Sequence, residues 1–222
     1  MKIVILAHAN DNHTAPLKWG LEQAGYQVVC WGGLAWNAKQ QATALFDEPD
    51  RLWLGGQPVD RGDVIWIRRP QPAVHNPNVA EPDIKFAEGE YRWFSLSLQY
   101  LLETLPVWCI NKYSASRFIN NKSVQLVLAR QCGMKVPVTL MSNDPAAVRK
   151  FLETHPGRTI CKPFFPHVWQ KNDGGLAATE TFELTADQLP ADEVLTYAPA
   201  IYQDMVVKQY DVRMVLMGSR VY

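Results

Sequence analysis

The sequence has no GxGxxG fingerprint, since Gly32-Gly33 stands alone, and no GxxxxGK[ST] loop. Neither a dinucleotide oxidoreductase nor a P-loop nucleotidase is indicated. A GxSxG elbow, an HExxH helix and paired zinc-binding cysteines are missing as well, which leaves no signature of a serine hydrolase or a zinc enzyme. There is no excess of either charge: Lys plus Arg number 22 and Asp plus Glu number 22, so no overall field draws the chain to nucleic acid or to an anionic membrane. Neither is expected as a partner. No apolar run approaches a membrane span, and Ile3–Leu6 is too short for a signal-peptide core before Asn10, Asp11 and Asn12 interrupt it. Cysteine is scarce. Cys30, Cys109, Cys132 and Cys161 form no CxxC pair and each falls in an apolar run, so reduced thiols packed in a core are expected, together with a cytoplasmic location.

What remains is an ordinary globular composition, 47% hydrophobic and 20% charged, over 222 residues. That length holds two α/β units. Lys2–Ala7 reads as a strand, residues 14–25 as a helix through Leu17, Leu21 and Ala24, and Tyr26–Trp31 as a second strand. This β-α-β opening predicts a parallel sheet with the polar segment His8–His13 at a strand's carboxyl end, where such sheets place ligands. HxxxxH is no recognised metal spacing, so a solvated loop accounts for both histidines. Arg51–Leu54 and Gln57–Val59 flank Gly55-Gly56 and predict a hairpin. Ile84, Ala87, Tyr91, Phe94, Leu98, Leu101 and Leu105 mark one apolar stripe of a long helix, and Val107–Ile110 a following strand. Further on, helices are expected over Ser114–Asn120, Asn121–Cys132 and Ala146–Leu152, and strands over Pro137–Met141, Thr159–Lys162, Leu176–Phe182 and Ile201–Val206. A hairpin is expected over Val212–Met217 and Arg220–Tyr222. The clearest boundary lies near Asn111.

Charged residues within apolar strands are the candidates for chemistry. Asp63–Ile67 runs into Arg68-Arg69, whose guanidinium forks suit a carboxylate or phosphate, with surface salt bridging as the equal alternative. Lys162 ends the strand Thr159–Cys161 ahead of a loop with Asn172, Asp173, Gly174 and Gly175, where a lysine reaches a phosphate and backbone N–H groups close over it. An ordinary strand-end lysine reads equally well. Asp204, and Asp211 with Arg213, repeat the pattern on what are expected to be adjacent strands. The aromatic loop Phe164–Trp169 offers surface for a peptide, although aromatic residues more often pack cores.

The order of these segments resembles the ATP-grasp superfamily over nearly the whole chain. Asn121–Leu126, Gly133 and Val136–Thr139 look like its first lysine-bearing helix and following strand, and Ile160–Pro163 like its second lysine strand. Tyr202–Val206 looks like the hinge that pairs with adenine, with Asp204 where Glu is usual. Asp211-Val-Arg213 resembles the D-[IL]-R strand. Trp66–Pro70, the helix containing Glu90, Ile110-Asn111 and Thr139–Asp144 are similar to microviridin-type (graspetide) peptide ligases and the related ribosomal-protein glutamate ligases.

The resemblance implies an α/β fold with a pre-ATP-grasp domain and parallel sheet over 1–110 and an incomplete ATP-grasp domain over 111–222. It implies an acyl-phosphate made from ATP and a peptide or protein carboxylate, then amide or ester formation. Lys122 and Lys162 would hold phosphates, and Gln203, Asp204, Met205, Val206, Asp211 and Arg213 would complete the nucleotide site. Arg68 and Arg69 would meet substrate, Mg²⁺ would bridge phosphate oxygens, and a homodimer is among the expected partners. The family's metal ligands follow the D-[IL]-R hairpin, beyond Tyr222. The expectation is therefore a fragment or truncated form of such a ligase, or else a binding module without turnover.

Overall fold

The computed structural model describes residues 1–8, 10–155, 157–165 and 168–222. Ala9 in the polar segment, Pro156, and Pro166 and His167 of the expected aromatic loop lie outside the described residues. Two compact units are present, Met1–Asn121 and Lys122–Tyr222. No helix of the described residues is long and apolar enough to cross a membrane.

The first unit comprises β1 (Lys2–Ala7), α1 (Thr14–Gln23), β2 (Gln27–Trp31), β3 (Ala42–Leu45), β4 (Arg51–Leu54), β5 (Gln57–Val59), β6 (Val64–Arg69), α2 (Ile84–Thr104), β7 (Trp108–Ile110) and α3 (Tyr113–Ile119). The expected parallel sheet has the order β2-β1-β6-β7. Every residue of β1 is buried. Its Ile3, Ile5 and Ala7 pack with Leu21 and Val28 on one face, and Val4 and Leu6 pack with Ile65, Leu98 and Leu102 on the other. A strand covered on both faces reads as an unbroken apolar run. Full burial of a leucine such as Leu102 contributes about 1.5–3 kcal/mol. The Gly55-Gly56 hairpin forms as expected, both glycines at positive φ, and β3, which the sequence did not announce, adds an antiparallel third strand. α3 packs with α2 because Ser114 donates from N and Oγ to the Glu103 carboxylate, each at 2.7 Å, so it falls in the first unit.

Two fastenings hold the strand ends and loops of this unit. Lys2 Nζ lies 2.6 Å from Asp63 Oδ2 and 2.5 Å from Asp60 Oδ2, while its backbone N–H donates to Asp63 Oδ1 at 2.8 Å. A strap, Pro70–His75, is sewn to the segment 32–36: Gln71 N–H donates to the Gly32 carbonyl at 2.7 Å, Val74 N–H to Leu34 at 3.1 Å, and Trp36 N–H to Val74 at 3.1 Å. Gln71 Nε2 also donates to Gln40 Oε1. Gly33 sits at φ +128° beneath the strap, where a Cβ would come within 2.7 Å of the Gln71 carbonyl.

The second unit comprises α4 (Lys122–Gln131), β8 (Thr139–Ser142), α5 (Pro145–Thr154), β9 (Thr159–Lys162), β10 (Val168–Gln170), β11 (Leu176–Ala178), β12 (Phe182–Leu184), α6 (Asp192–Thr196), β13 (Ala200–Asp204), β14 (Leu216–Met217) and β15 (Arg220–Val221). α4 closes at Gly133 in the left-handed conformation, with Met134 N–H donating to the Ala129 carbonyl at 2.9 Å. Asp144 caps α5 by accepting from Ala146 N–H at 3.0 Å, with Pro145 at the first helical position. The antiparallel sheet has the order β12-β9-β13-β8. One face packs Leu140, Cys161, Leu184, Ala200 and Tyr202 against Val148, Phe151 and Leu152 of α5.

Several expectations change. The strand expected over Leu176–Phe182 is two, because β11 pairs with β10 while β12 pairs with β9 in another sheet. The loop over 164–175 contains β10 and a tight turn. There Gly174 N–H donates to the Lys171 carbonyl at 3.0 Å and Gly175 N–H to Asp173 Oδ1 at 2.9 Å, so the turn itself consumes the amides expected to cradle a phosphate. Asp211 and Arg213 lie on no strand: they are exposed, Asp211 pairs with Lys208 at 2.7 Å, and the terminal hairpin pairs only with itself among the described residues. The cysteines are free but not buried. Cys30 and Cys132 are exposed, the one on an edge strand and the other after the last turn of α4, while Cys109 and Cys161 are half-buried.

Candidate functional site

The face of the antiparallel sheet away from α5 carries Thr139 and Met141 of β8, Ile160 and Lys162 of β9, and Ile201 and Gln203 of β13, because strand side chains alternate. Register sets Ile201 opposite both Met141 and Lys162, and Gln203 opposite both Thr139 and Ile160. These rows and α4 bound a cavity of about 240 Å³ lined by Lys122, Gln125, Leu126, Met141, Lys162 and Gln203, among others. Ligand sites for whole small molecules run to roughly 300–1,000 Å³, so this cavity suits one part of a larger ligand.

Polar order inside it runs through three strands. Lys162 Nζ donates to Gln203 Oε1 at 2.8 Å, Gln203 Nε2 donates to Thr139 Oγ1 at 2.6 Å, and Thr139 Oγ1 donates to the Pro137 carbonyl at 3.0 Å. This chain fixes the amide orientation of Gln203 so that its oxygen faces the lysine. Lys122 Nζ donates to the Phe164 carbonyl. Both ammonium groups therefore meet neutral acceptors, and no carboxylate lines the cavity among the described residues. Burial pushes the Lys162 pKa below the ordinary lysine value, and the charge of Lys122 pushes it further the same way. An ammonium has three donors, so each lysine retains capacity for an anion.

The hinge residues divide. β13 ends at Asp204, whose side chain falls by alternation on the opposite face from Gln203. Asp204 N–H donates to the Val138 carbonyl at 3.0 Å and Met205 N–H to the Arg158 carbonyl at 2.7 Å. Val206 N–H has no acceptor among the described residues. Asp211 and Arg213 line no part of the cavity.

In the first unit the β1–β6 register skips one residue at Arg68, Leu6 facing Ile67 and Ala7 facing Arg69. Such a bulge re-aims a side chain, and Arg68 Nε lies 3.5 Å from Asp11 Oδ2. Burial raises the Asp11 pKa, but the His13 N–H bond and the Arg68 charge outweigh it, so the net direction is down. Arg69 is exposed and makes no salt bridge among the described residues, although its charge also acts on Asp11. His8 and His13 are exposed as well.

Sequence reading named Lys122, Lys162 and Gln203 but missed Gln125, Met141, Ile201 and the Phe164 carbonyl. Gln125 is three residues from Lys122 on one helix face, and Ile201 two from Gln203 on one strand face, so periodicity carried both signals. Met141 needed the strand register.

No protein-family model and no curated protein matches the sequence. Among solved structures, the chain is similar to a RiPP-associated ATP-grasp ligase of Chryseobacterium gregarium in complex with ADP, and a leader and core peptide. The TM-score is 0.83 at 23% identity, over 100% of this chain and 67% of that one. The macrocyclase MdnC from Microcystis aeruginosa MRC, bound with precursor peptide MdnA, gives 0.82 at 20% identity, over 100% and 74%. The ATP-grasp ligase PsnB, complexed with minimal precursor, Mg and ADP, gives 0.65 at 24% identity, over 92% and 65%. With its lysine-bearing antiparallel sheet following a parallel α/β unit, the chain has the fold of the ATP-grasp superfamily.

Proposed function

We propose that the second unit binds ATP through Lys122 and Lys162, and that the protein is an ATP-dependent ligase joining a peptide or protein carboxylate to an amine or hydroxyl. The observation that carries this reading is a pair of lysines on one cavity without a carboxylate among its described residues, close enough that the charge of Lys122 disfavours that of Lys162. A polyphosphate relieves that repulsion. The described residues fit a nucleotide: two cations for phosphate oxygens, Leu126, Met141 and Ile201 as apolar wall, and the Val206 N–H with neighbouring carbonyls for a base edge. ATP when bound supplies the phosphoryl group that makes the carboxylate reactive. Lys122 and Lys162 hold its charge in place, and Gln203 keeps Lys162 aimed without neutralising it. Arg69, at the carboxyl end of β6, is the better placed of the two arginines for an incoming carboxylate, since Arg68 already faces Asp11. That the solved neighbours include complexes with ADP and with precursor peptides supports nucleotide and peptide as ligands.

Mg²⁺ is not accommodated in the same way. Among the described residues no group of three or more His, Cys, Asp or Glu stands together to hold a metal ion, and no residue is assigned to it. A second reading is a module that binds nucleotide or peptide without turnover. Calorimetric titration with a non-hydrolysable ATP analogue, with and without Mg²⁺, tests the nucleotide site. Saturable binding that disappears in the Lys122→Ala/Lys162→Ala pair is expected, and equal binding by that folded variant would refute the assignment. ADP release on adding peptide separates ligase from module.

A further inference from the structure

A groove of about 1040 Å³ runs in the first unit between α2, α3 and the strap Pro70–His75. Among the described residues its lining carries three cations, Lys85 and Arg92 from α2 and Arg117 from α3, against a single acid, Glu88. With His75 neutral the balance is three minus one, a local charge of +2 in a chain whose overall charge is +0. Glu88 is already turned to His75, Oε1 lying 3.8 Å from Nε2. The side chains of Lys85, Arg92 and Arg117 meet no hydrogen-bond acceptor or carboxylate among the described residues. Elsewhere in this unit Lys2, Arg51 and Arg68 stand against aspartates, whereas the groove gathers three cations in one concavity without such a partner among the described residues.

The spacing favours a chain over a compact anion. Lys85 and Arg92 are two helical turns apart, about 10 Å along the axis, so the positive charge is spread along the groove rather than gathered at one point. The α2 wall from Lys85 to Gln99 measures about 21 Å, the length of roughly six residues of extended peptide. The facing strap supplies Pro70, Pro72 and Val74 as apolar surface for side-chain methylenes. Among the described residues the groove lacks the row of aromatics on which single-stranded nucleic acid stacks, its rings being Tyr113 and His75, and His75 already faces Glu88. We propose that this groove binds an extended, carboxylate-rich peptide segment. The claim is independent of the lysine cavity in the second unit, so either can fail alone.

Fluorescence anisotropy of the whole chain with a labelled octapeptide of alternating Glu and Ala tests it, with the matching Gln peptide as control. The Glu peptide is expected to bind and to weaken as salt rises, and the variant Lys85→Gln/Arg92→Gln/Arg117→Gln to lose about tenfold in affinity while its ATP-analogue titration is unchanged. Equal binding of the Gln peptide, or full affinity in the folded triple variant, would overturn the proposal. So would displacement of the peptide by inorganic phosphate at comparable concentration, which would mark a phosphate site. Should the triple variant not fold, Arg117→Gln alone is expected to lose about twofold and Arg117→Lys to restore it, and no difference between them would count against the groove.

Discussion

Lys2 and Lys162 are both lysines on sheet strands, withdrawn from solvent to different degrees, and the two units treat them in opposite ways. Burial lowers the pKa of Lys2, but hydrogen bonds to Asp60 and Asp63 and their charges more than reverse it, and the net direction is up. Lys162 meets an amide and another lysine, and its pKa goes down. The first unit has spent its cation on holding β1 to the turn before β6, whereas the second holds a cation that donates to an amide and meets no carboxylate among the described residues. A satisfied lysine is structural, and an unsatisfied one stores affinity for an anion from outside.

The largest break in this contrast is expected from Asp63→Ala, which leaves Lys2 Nζ with the exposed Asp60 alone and removes the acceptor of the Lys2 and Asp60 N–H groups, at a cost of about 3 kcal/mol of stability, measured by chemical denaturation. Lys162→Ala is expected to do the reverse, weakening the ATP analogue by about 10–100-fold, as for a lost charge-assisted hydrogen bond, with no loss of melting temperature. A stability loss as large as that of Asp63→Ala would erase the distinction.

Acidity and alkalinity sharpen the comparison with smaller effects. Burial raises the Asp63 pKa, but its bonds from Lys2 and Asp60 bring the net value down. Its stabilisation is therefore present above the unfolded carboxylate value and lost as pH falls through the lower folded one. The raised Lys2 contributes below the unfolded lysine value and is lost as pH rises through the higher folded one. Between about pH 4 and pH 10 the fastening stays whole, which a denaturation series across pH checks. Lys162 must be charged to hold phosphate, so analogue affinity should fall with rising pH earlier than for an ordinary lysine, and Lys122→Met should move that fall to higher pH. The smallest effect belongs to Arg158→Ala, which removes an exposed pair with Glu183 and should barely move the melting temperature, and not at all in high salt.

The elements that sequence made legible are those whose local chemistry agrees with their environment. β1 is apolar throughout because it is buried throughout, Gly55-Gly56 turns because both glycines take positive φ, and Pro145 follows an aspartate that caps. Lys162 could be singled out as a charged residue closing the otherwise uncharged strand Thr159–Cys161, although an ordinary strand-end lysine reads equally well from sequence. Long-range pairing was not legible. Nothing in Leu176–Phe182 reveals that its two ends belong to different sheets, and nothing near Asp211 reveals that the segment finds no strand partner among the described residues. The cavity shows the same limit: Lys122 and Lys162 can be read singly, but their convergence depends on α4 lying against a register that sets Ile201 between Met141 and Lys162.

The strap Pro70–His75 has a thermodynamic consequence. Three backbone bonds, an amide clasp and a glycine too crowded for a Cβ already hold it, so its conformational freedom was surrendered when the chain folded. A guest lying along this wall would forfeit its own disorder and little of the protein's. Its binding entropy should then become more unfavourable with each residue added to the guest, and affinity should be gained by stiffening the peptide in the extended form it must adopt.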